Sequence, residues 1–270
     1  MNITFIGGGN MASAIIGGLL ARGWDRQCLR AVEILPEARD KLAQAFQIRT
    51  YAAASAEAVD VDCVVLAIKP QQMREAAAQL APLVRNALVI TIAAGIRGSD
   101  LARWLGGHAR IVRVMPNTPA LVLAGISGLY AMAGVSAQDR ERAAAIMGAV
   151  GETVWVERED DIDAVTAVSG SGPAYVFYFI EALEQAARDV GMSTDTARRL
   201  ALATFTGASK LAAQSSEDAA TLRARVTSKG GTTERALGSM EADKIKAAIG
   251  RAVVAAAERS RELGEELGRD

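Results

Sequence analysis

Short β-branched runs alternate with Ala-rich helical stretches through the part of the chain that ends at Glu157, and this alternation constrains the fold more than any other feature. Six runs stand out, at residues 2–6, 28–33, 63–68, 87–92, 111–115 and 153–156. Strands separated by helical patterns at this spacing predict βαβ units, and hence an α/β, doubly wound, mainly parallel sheet covered on both faces. Right-handed crossovers then line up the carboxyl ends of the strands, and the loops that follow them, along one edge where ligands bind.

Beyond Asp161 the strand signal stops, and the rest reads as helices separated by Gly and Ser/Thr caps. The joint is the charged run Arg158, Glu159, Asp160, Asp161, Ile162, Asp163, which divides the chain into a dinucleotide-binding domain over 1–160 and an all-helical domain over 161–270. Pro173 suits the first turn of a helix running from Ala174 to Val190, with Gly191 as its cap. That helix starts apolar on every side, so it needs cover either within its own monomer or from a partner subunit. The final stretch, 241–269, carries Ile245, Ile249 and Val253 at helical spacing and ends in an Arg/Glu-rich face that reads as solvated.

The charge balance of 30 basic against 31 acidic residues gives no overall field to hold nucleic acid or an anionic membrane, and neither is expected as a partner. Cys28 and Cys63 form no CxxC pair, and with a single histidine no zinc or other metal site is expected. No basic leader precedes the first strand, and no apolar stretch approaches the roughly 20 residues that span a bilayer. The expectation is a soluble cytoplasmic protein.

Gly7, Gly8, Gly9, Asn10, Met11 and Ala12 fit the G-x-G-x-x-G/A pattern between a strand and a helix. In that setting Gly7 makes the tight turn, Gly9 lets backbone amides approach a pyrophosphate, and Ala12 packs helix on strand. At the end of the second strand stands Glu33. Its carboxylate either accepts hydrogen bonds from a ribose 2′-hydroxyl and repels a 2′-phosphate, favouring NADH, or is an ordinary solvated strand end. Arg39, folded over the site, would instead pair with a phosphate.

Lys69 and Pro70 follow the run ending at Ile68, and Asn117, between Pro116 and Pro119, follows the run ending at Met115. Two Pro-stiffened turns on the ligand edge would wall a nicotinamide and its ribose, with Lys69 and Asn117 as donors; alternatively Pro merely stops each strand. His108 reads as a loop residue without a catalytic role. In the helical half, Ser169, Gly170, Ser171 and Gly172 form a small-residue loop before Pro173. Gly230, Gly231, Thr232 and Thr233 open a helix with free amides and hydroxyls, which suits a carboxylate or serves as a plain N-cap.

Six segments together resemble the pyrroline-5-carboxylate reductase family over nearly the whole chain. They are residues 5–11, 67–70, 92–95, 113–119, 168–177 and 227–233. The resemblance implies an N-terminal Rossmann domain, an all-helical C-terminal dimerisation domain interleaved with its twin, dimers often assembled into decamers, and reduction of 1-pyrroline-5-carboxylate to L-proline with NADPH or NADH. It further implies that Ala67, Lys69, Pro70 and Asn117 lie along the cofactor, that Ser171 and Gly230–Thr233 hold the substrate, and that Thr233 and Lys69 act in the reaction, Thr233 as donor near the imine nitrogen. Glu33 departs from the Ser, Thr or Arg that NADPH-using members tend to carry there.

The chemistry agrees. A protonated cyclic imine is already a strong electrophile, so the protein needs to orient it, hold its carboxylate and manage one proton, and no histidine is required. Two rivals remain: a sensor that binds NAD(P) without turnover, and a 3-hydroxyacid dehydrogenase-like enzyme. The latter uses a lysine in the first long helix of its helical half, whereas this chain has no lysine between Lys69 and Lys210.

Overall fold

The computed structural model describes residues 1–269. Eight strands form one sheet in the order β3-β2-β1-β4-β5-β6-β7-β8. They are β1 (Ile3–Ile6), β2 (Leu29–Val32), β3 (Arg49–Tyr51), β4 (Cys63–Leu66), β5 (Leu88–Thr91), β6 (Ile111–Met115), β7 (Gly125–Ala131) and β8 (Gly151–Trp155). Every neighbouring pair is parallel except β6 with β7. The order reverses between β1 and β4, and the crevice at such a switch point is where dinucleotides bind.

Side chains along each inner strand alternate between two cores. Ile3 and Phe5, Cys63 and Val65, Leu88 and Ile90, and Val112 and Val114 face one core, together with Ala12, Ile15, Ile16 and Leu19 of α1 (Asn10–Ala21). Ile6, Val64, Leu66, Val89 and Ile111 face the other. There they meet helices α3 (Ala56–Val59), α4 (Met73–Leu80) and α5 (Gly98–Trp104); α2 (Pro36–Phe46) and α6 (Ala137–Met147) complete the layers. Each large apolar side chain taken fully out of water contributes about 1.5–3 kcal/mol, so the sheet is fixed by its two faces before any ligand is considered.

The sequence reading missed β3 and β7. β3 is a three-residue edge strand, Arg49-Thr50-Tyr51, with no apolar run to announce it. β7 carries Gly125 and Gly128, which weaken any strand pattern. Both glycines are required by packing, since a Cβ on Gly128 would sit 2.6 Å from the Val165 side chain and one on Gly125 2.9 Å from the Ala120 amide. Cys28 also lies outside β2, in a short 3-10 turn.

After β8 the chain is helical: α7 (Asp161–Val165), α8 (Gly172–Asp189), α9 (Thr194–Gln214), α10 (Ala219–Arg225), α11 (Thr232–Ala242) and α12 (Ile245–Gly268). Pro173 sits in the first turn of α8 as expected. Gly191, at φ +97°, closes it with amides of Gly191 and Met192 bonded back to Arg188 and Ala187, a Schellman arrangement. The segment from Ser169 to Gly172 is not the loop that its small residues suggested. Residues 166–170 form a π turn, in which the Ser171 amide donates to the Thr166 carbonyl and the hydroxyls of Thr166 and Ser169 donate to the carbonyls four residues back.

Contacts divide the chain into one unit of residues 1–171 with Ala255 onward, and a second unit, Gly172–Val254. In the first, the carboxyl end of α12 docks by Ser260, whose hydroxyl donates to Asp163 at 2.6 Å, and by Leu267 against the second core. The Arg/Glu-rich face is therefore one side of a docked helix, with Arg259 paired to Glu262 and Glu266 in solvent. In the second unit, among its described residues, only Ala197 and Ala201 are buried, while Phe177 is 64% and Tyr178 68% exposed.

Candidate functional site

The parallel register sets Ile6 level with Val32 and Leu66, so Gly7, Glu33 and Ala67 leave the sheet side by side. Gly7 adopts φ +97°, and a Cβ there would lie 2.5 Å from the Ala67 carbonyl oxygen. Only glycine satisfies both conditions. Beside Gly9, by contrast, there is nothing within 4 Å of a Cβ, so a ligand can approach the backbone. Gly9 caps α1 without a side-chain hydrogen bond, which leaves the first amides of the helix, at Asn10 and Met11, without a protein acceptor. Ala12 is fully buried against the strands, and Met11 packs partly on the same core. An open glycine, unclaimed helix amides and the positive end of a helix dipole fit a pyrophosphate.

Glu33 belongs to this turn. Its Oε2 accepts from the Gly8 amide at 2.8 Å and its Oε1 from the Leu35 amide at 2.9 Å. Arg39 lies at the same strand end. Its guanidinium donates to the Glu33 backbone carbonyl at 2.9 Å.

Lys69 and Pro70 follow β4 on the same edge, with Lys69 exposed and Pro70 opening a 3-10 turn. Asn117 follows β6; its Oδ1 accepts from the Ile126 amide at 2.9 Å, which ties the 118–122 turn to β7 and leaves its NH₂ as a donor. The π turn leading to Ser171 packs beside the same strand, a Cβ on Gly170 lying 2.5 Å from Met115 Cε. The structure thus gathers Gly7, Gly9, Asn10, Met11, Ala12, Glu33, Ala67, Lys69, Pro70 and Asn117 on the ligand edge of one unit.

Gly230, Gly231, Thr232 and Thr233 belong to the second unit. Gly230 takes φ +73°, and its amide is claimed by Glu234 Oε2 at 2.7 Å. The Gly231 amide donates to the Ser228 carbonyl, and Gly231 caps α11 without side-chain help. The amides of Thr232 and Thr233 therefore open α11 without a protein acceptor, beside a groove lined by Glu234, which is turned to the Gly230 amide, and by Arg235, Gly238 and Ser239. Two such amides, two hydroxyls and a nearby guanidinium suit one carboxylate.

Sequence reasoning passed over Gly8 and Arg113. The signal for Gly8 was a glycine at the middle position that the motif leaves free, since a Cβ there would lie 2.3 Å from Leu42 Cδ1 and 3.1 Å from the Glu33 carboxylate. Arg113 is 4% exposed and pairs with Glu159 at 3.1 Å and, more loosely, with Asp163 at 4.0 Å. Glu159 also accepts from the Gly98 amide at the start of α5. Two acids of the charged joint thus close on a buried arginine, while Arg158 and Asp160 stay in solvent. His108 is half-buried, its Nε2 2.9 Å from the Ala87 carbonyl, and burial holds its imidazole below the ordinary histidine value. Burial likewise pushes the Cys63 thiol up, out of reach of nucleophilic use.

The chain is similar to known proteins over nearly its whole length. Residues 159–263 match the family model described as pyrroline-5-carboxylate reductase dimerisation, and residues 2–95 match one described as NADP oxidoreductase coenzyme F420-dependent. The chain is 46% identical to a pyrroline-5-carboxylate reductase of Pseudomonas aeruginosa, over 98% of each chain. It superimposes on a structure of the Coxiella burnetii enzyme with a TM-score of 0.93 at 39% identity, covering 97% of this chain and 98% of that one. For the Plasmodium falciparum enzyme with NADP bound the TM-score is 0.86 at 28% identity, covering 98% of each. The chain belongs to the pyrroline-5-carboxylate reductase family.

Proposed function

We propose that the chain reduces 1-pyrroline-5-carboxylate to L-proline, the last step of proline biosynthesis, with the residues gathered above in the following roles. Gly7, Gly9, Asn10, Met11 and Ala12 seat the pyrophosphate of NADPH or NADH, Glu33 meets the adenosine ribose, and Ala67, Lys69, Pro70 and Asn117 line the nicotinamide half. The dinucleotide, when bound, supplies the hydride. On the turn shaped by Gly230 and Gly231, the amides of Thr232 and Thr233 hold the substrate carboxylate, and the Thr233 hydroxyl donates to the unprotonated ring nitrogen, which takes up its proton from water as the hydride reaches the carbon. Lys69, exposed and without a partner among the described residues, donates from its ammonium to the cofactor or the substrate. The observation that carries this reading is the pair of helix starts, α1 and α11, each opened by glycine and each with its first amides unclaimed.

The helical unit pairs with that of a second copy through interleaved helices, and such dimers assemble further into a decamer in the cytoplasm. The near absence of buried residues in this unit supports the pairing. No described helix is long and apolar enough to cross a membrane.

The test is to add 1-pyrroline-5-carboxylate to the purified protein with NADH or NADPH, follow the reduced nicotinamide by absorbance and identify proline as product. Oxidation coupled to proline formation is expected. Cofactor binding with no oxidation in either case would make the protein a sensor and sink the reading.

A further inference from the structure

We propose that Leu263 and Leu267, on the last turns of α12, are positioning residues for the nicotinamide: they press residues 92–97 into the shape that closes the nicotinamide half of the ligand edge. The proposal rests on the cofactor seat described above and deepens it.

The segment stands at the right place on the edge. With Glu33 at the adenosine ribose, the strands across the switch point between β1 and β4 serve the nicotinamide half. The register sets Thr91 level with Leu66, so Ile92 leaves β5 beside Ala67, its amide donating to the Leu66 carbonyl at 3.2 Å. Because β5 lies between β4 and β6, residues 92–97 follow the strand that separates the turns carrying Lys69 and Asn117.

The segment does little to hold itself. The Ala93 amide reaches only the Thr91 hydroxyl, at 3.4 Å, and the amides of Ala94, Gly95, Ile96 and Arg97 have no protein acceptor among the described residues. Its fixed points come late: Ile96 is buried in the second core, and the Gly98 amide donates to Glu159 at 2.6 Å. Backbone without hydrogen bonds of its own keeps one conformation only where packing imposes it.

α12 supplies that packing. Gly95 takes φ +72°, and a Cβ there would lie 3.1 Å from Leu267 Cδ1 and 3.3 Å from Leu263 Cβ, so both leucines already bear on the bare backbone. The approach is as close from the helix side. A Cβ on Gly264 would lie 3.2 Å from Arg97 Nε, and one on Gly268 would strike the Asp100 carboxylate. Arg97 also pairs with Glu265 at 3.7 Å, but both side chains are about half exposed and such a pair contributes little, so the hold on Gly95 falls to the leucines. Ser260 anchors the helix separately through Asp163. Trimming the leucines therefore loosens the segment without releasing the helix.

The test separates the two halves of the cofactor. ADP-ribose carries everything but the nicotinamide, so calorimetric affinities of NADH and ADP-ribose need no substrate and read the nicotinamide half by difference. In the wild type NADH is expected to bind more tightly than ADP-ribose. Leu263→Ala combined with Leu267→Ala is expected to weaken NADH about tenfold and to leave ADP-ribose within about twofold. Reduction of 1-pyrroline-5-carboxylate should fall with it, by about tenfold or more in kcat/KM, because a displaced nicotinamide misses the geometry of attack. Methionine at both positions keeps the apolar volume and should restore both readings. Leu267→Ala alone, with an expected loss of about threefold for NADH, carries the test if the double variant unfolds. Equal wild-type affinities for the two ligands, a parallel loss of both, or no loss of either in folded variants would overturn the proposal. A loss confined to NADH, in a protein that does not reduce the imine, would leave it standing and overturn the reductase reading instead.

Discussion

Two glycine-opened helix starts carry the proposed chemistry, and they are supported very differently. The turn at Gly7–Gly9 is held by its own chain everywhere but at Gly9: Gly7 against Ala67, Gly8 against Leu42 and Glu33, and α1 against a core of buried strand residues. The turn at Gly230–Gly231 stands on a unit in which only Ala197 and Ala201 are buried among the described residues. A Cβ on Gly230 would meet nothing within 4 Å, and one on Gly231 would meet mainly the flexible Ser228 hydroxyl. A cofactor seat can thus be completed by one sheet. The proposed seat for a small charged ring stands instead on helices whose apolar side chains, Phe177 among them, are exposed.

That contrast can be broken at either end. The largest effect is expected from Gly7→Ala, which combines a left-handed φ with a backbone collision. A stability loss of about 3–5 kcal/mol is expected in urea unfolding, with loss of measurable cofactor binding. Next comes Arg113→Ala, which removes the buried cation and leaves Glu159 and Asp163 facing each other. It should cost about 3 kcal/mol by the same assay, and a midpoint within experimental error of wild type would show that these ion pairs are ornamental.

On the open turn the expected effects are kinetic. Thr233→Ala should lower kcat/KM by about 10–100-fold while cofactor affinity stays constant, since a donor to the imine nitrogen acts chiefly in the transition state. Wild-type turnover would remove Thr233 from the mechanism. The smallest effect on folding is expected from Gly230→Ala: about 1–2 kcal/mol for a left-handed φ with no collision. A penalty as large as that at Gly7 would mean the two turns are supported alike.

The doubly wound sheet was legible because it is written in buried β-branched runs with period two and announced by a glycine turn at the end of the first. The two strands that escaped were a polar edge strand and one interrupted by Gly125 and Gly128, where packing against Ala120 and Val165 overrides local strand preference. Ser169–Gly172 looked like a loop for a related reason. Small hydroxyl residues favour turns in isolation, but here Thr166 and Ser169 bond back along the helix and Gly170 admits Met115, which makes a π turn of them. The cofactor edge could be read from strand ends alone, because parallel register carries sequence position into space. Arg113 could not, because its partners lie 46 and 50 residues away, in a charged segment that reads as surface.

The most direct test of the contrast is to break the helical pairing and measure both functions. Phe177→Glu places a charge on the exposed apolar start of α8. Sedimentation should show a smaller species than wild type; calorimetry should find NADH bound within about twofold of wild-type affinity, while reduction of 1-pyrroline-5-carboxylate is lost. A variant that sediments as a monomer yet reduces the imine at the wild-type rate would contradict the account.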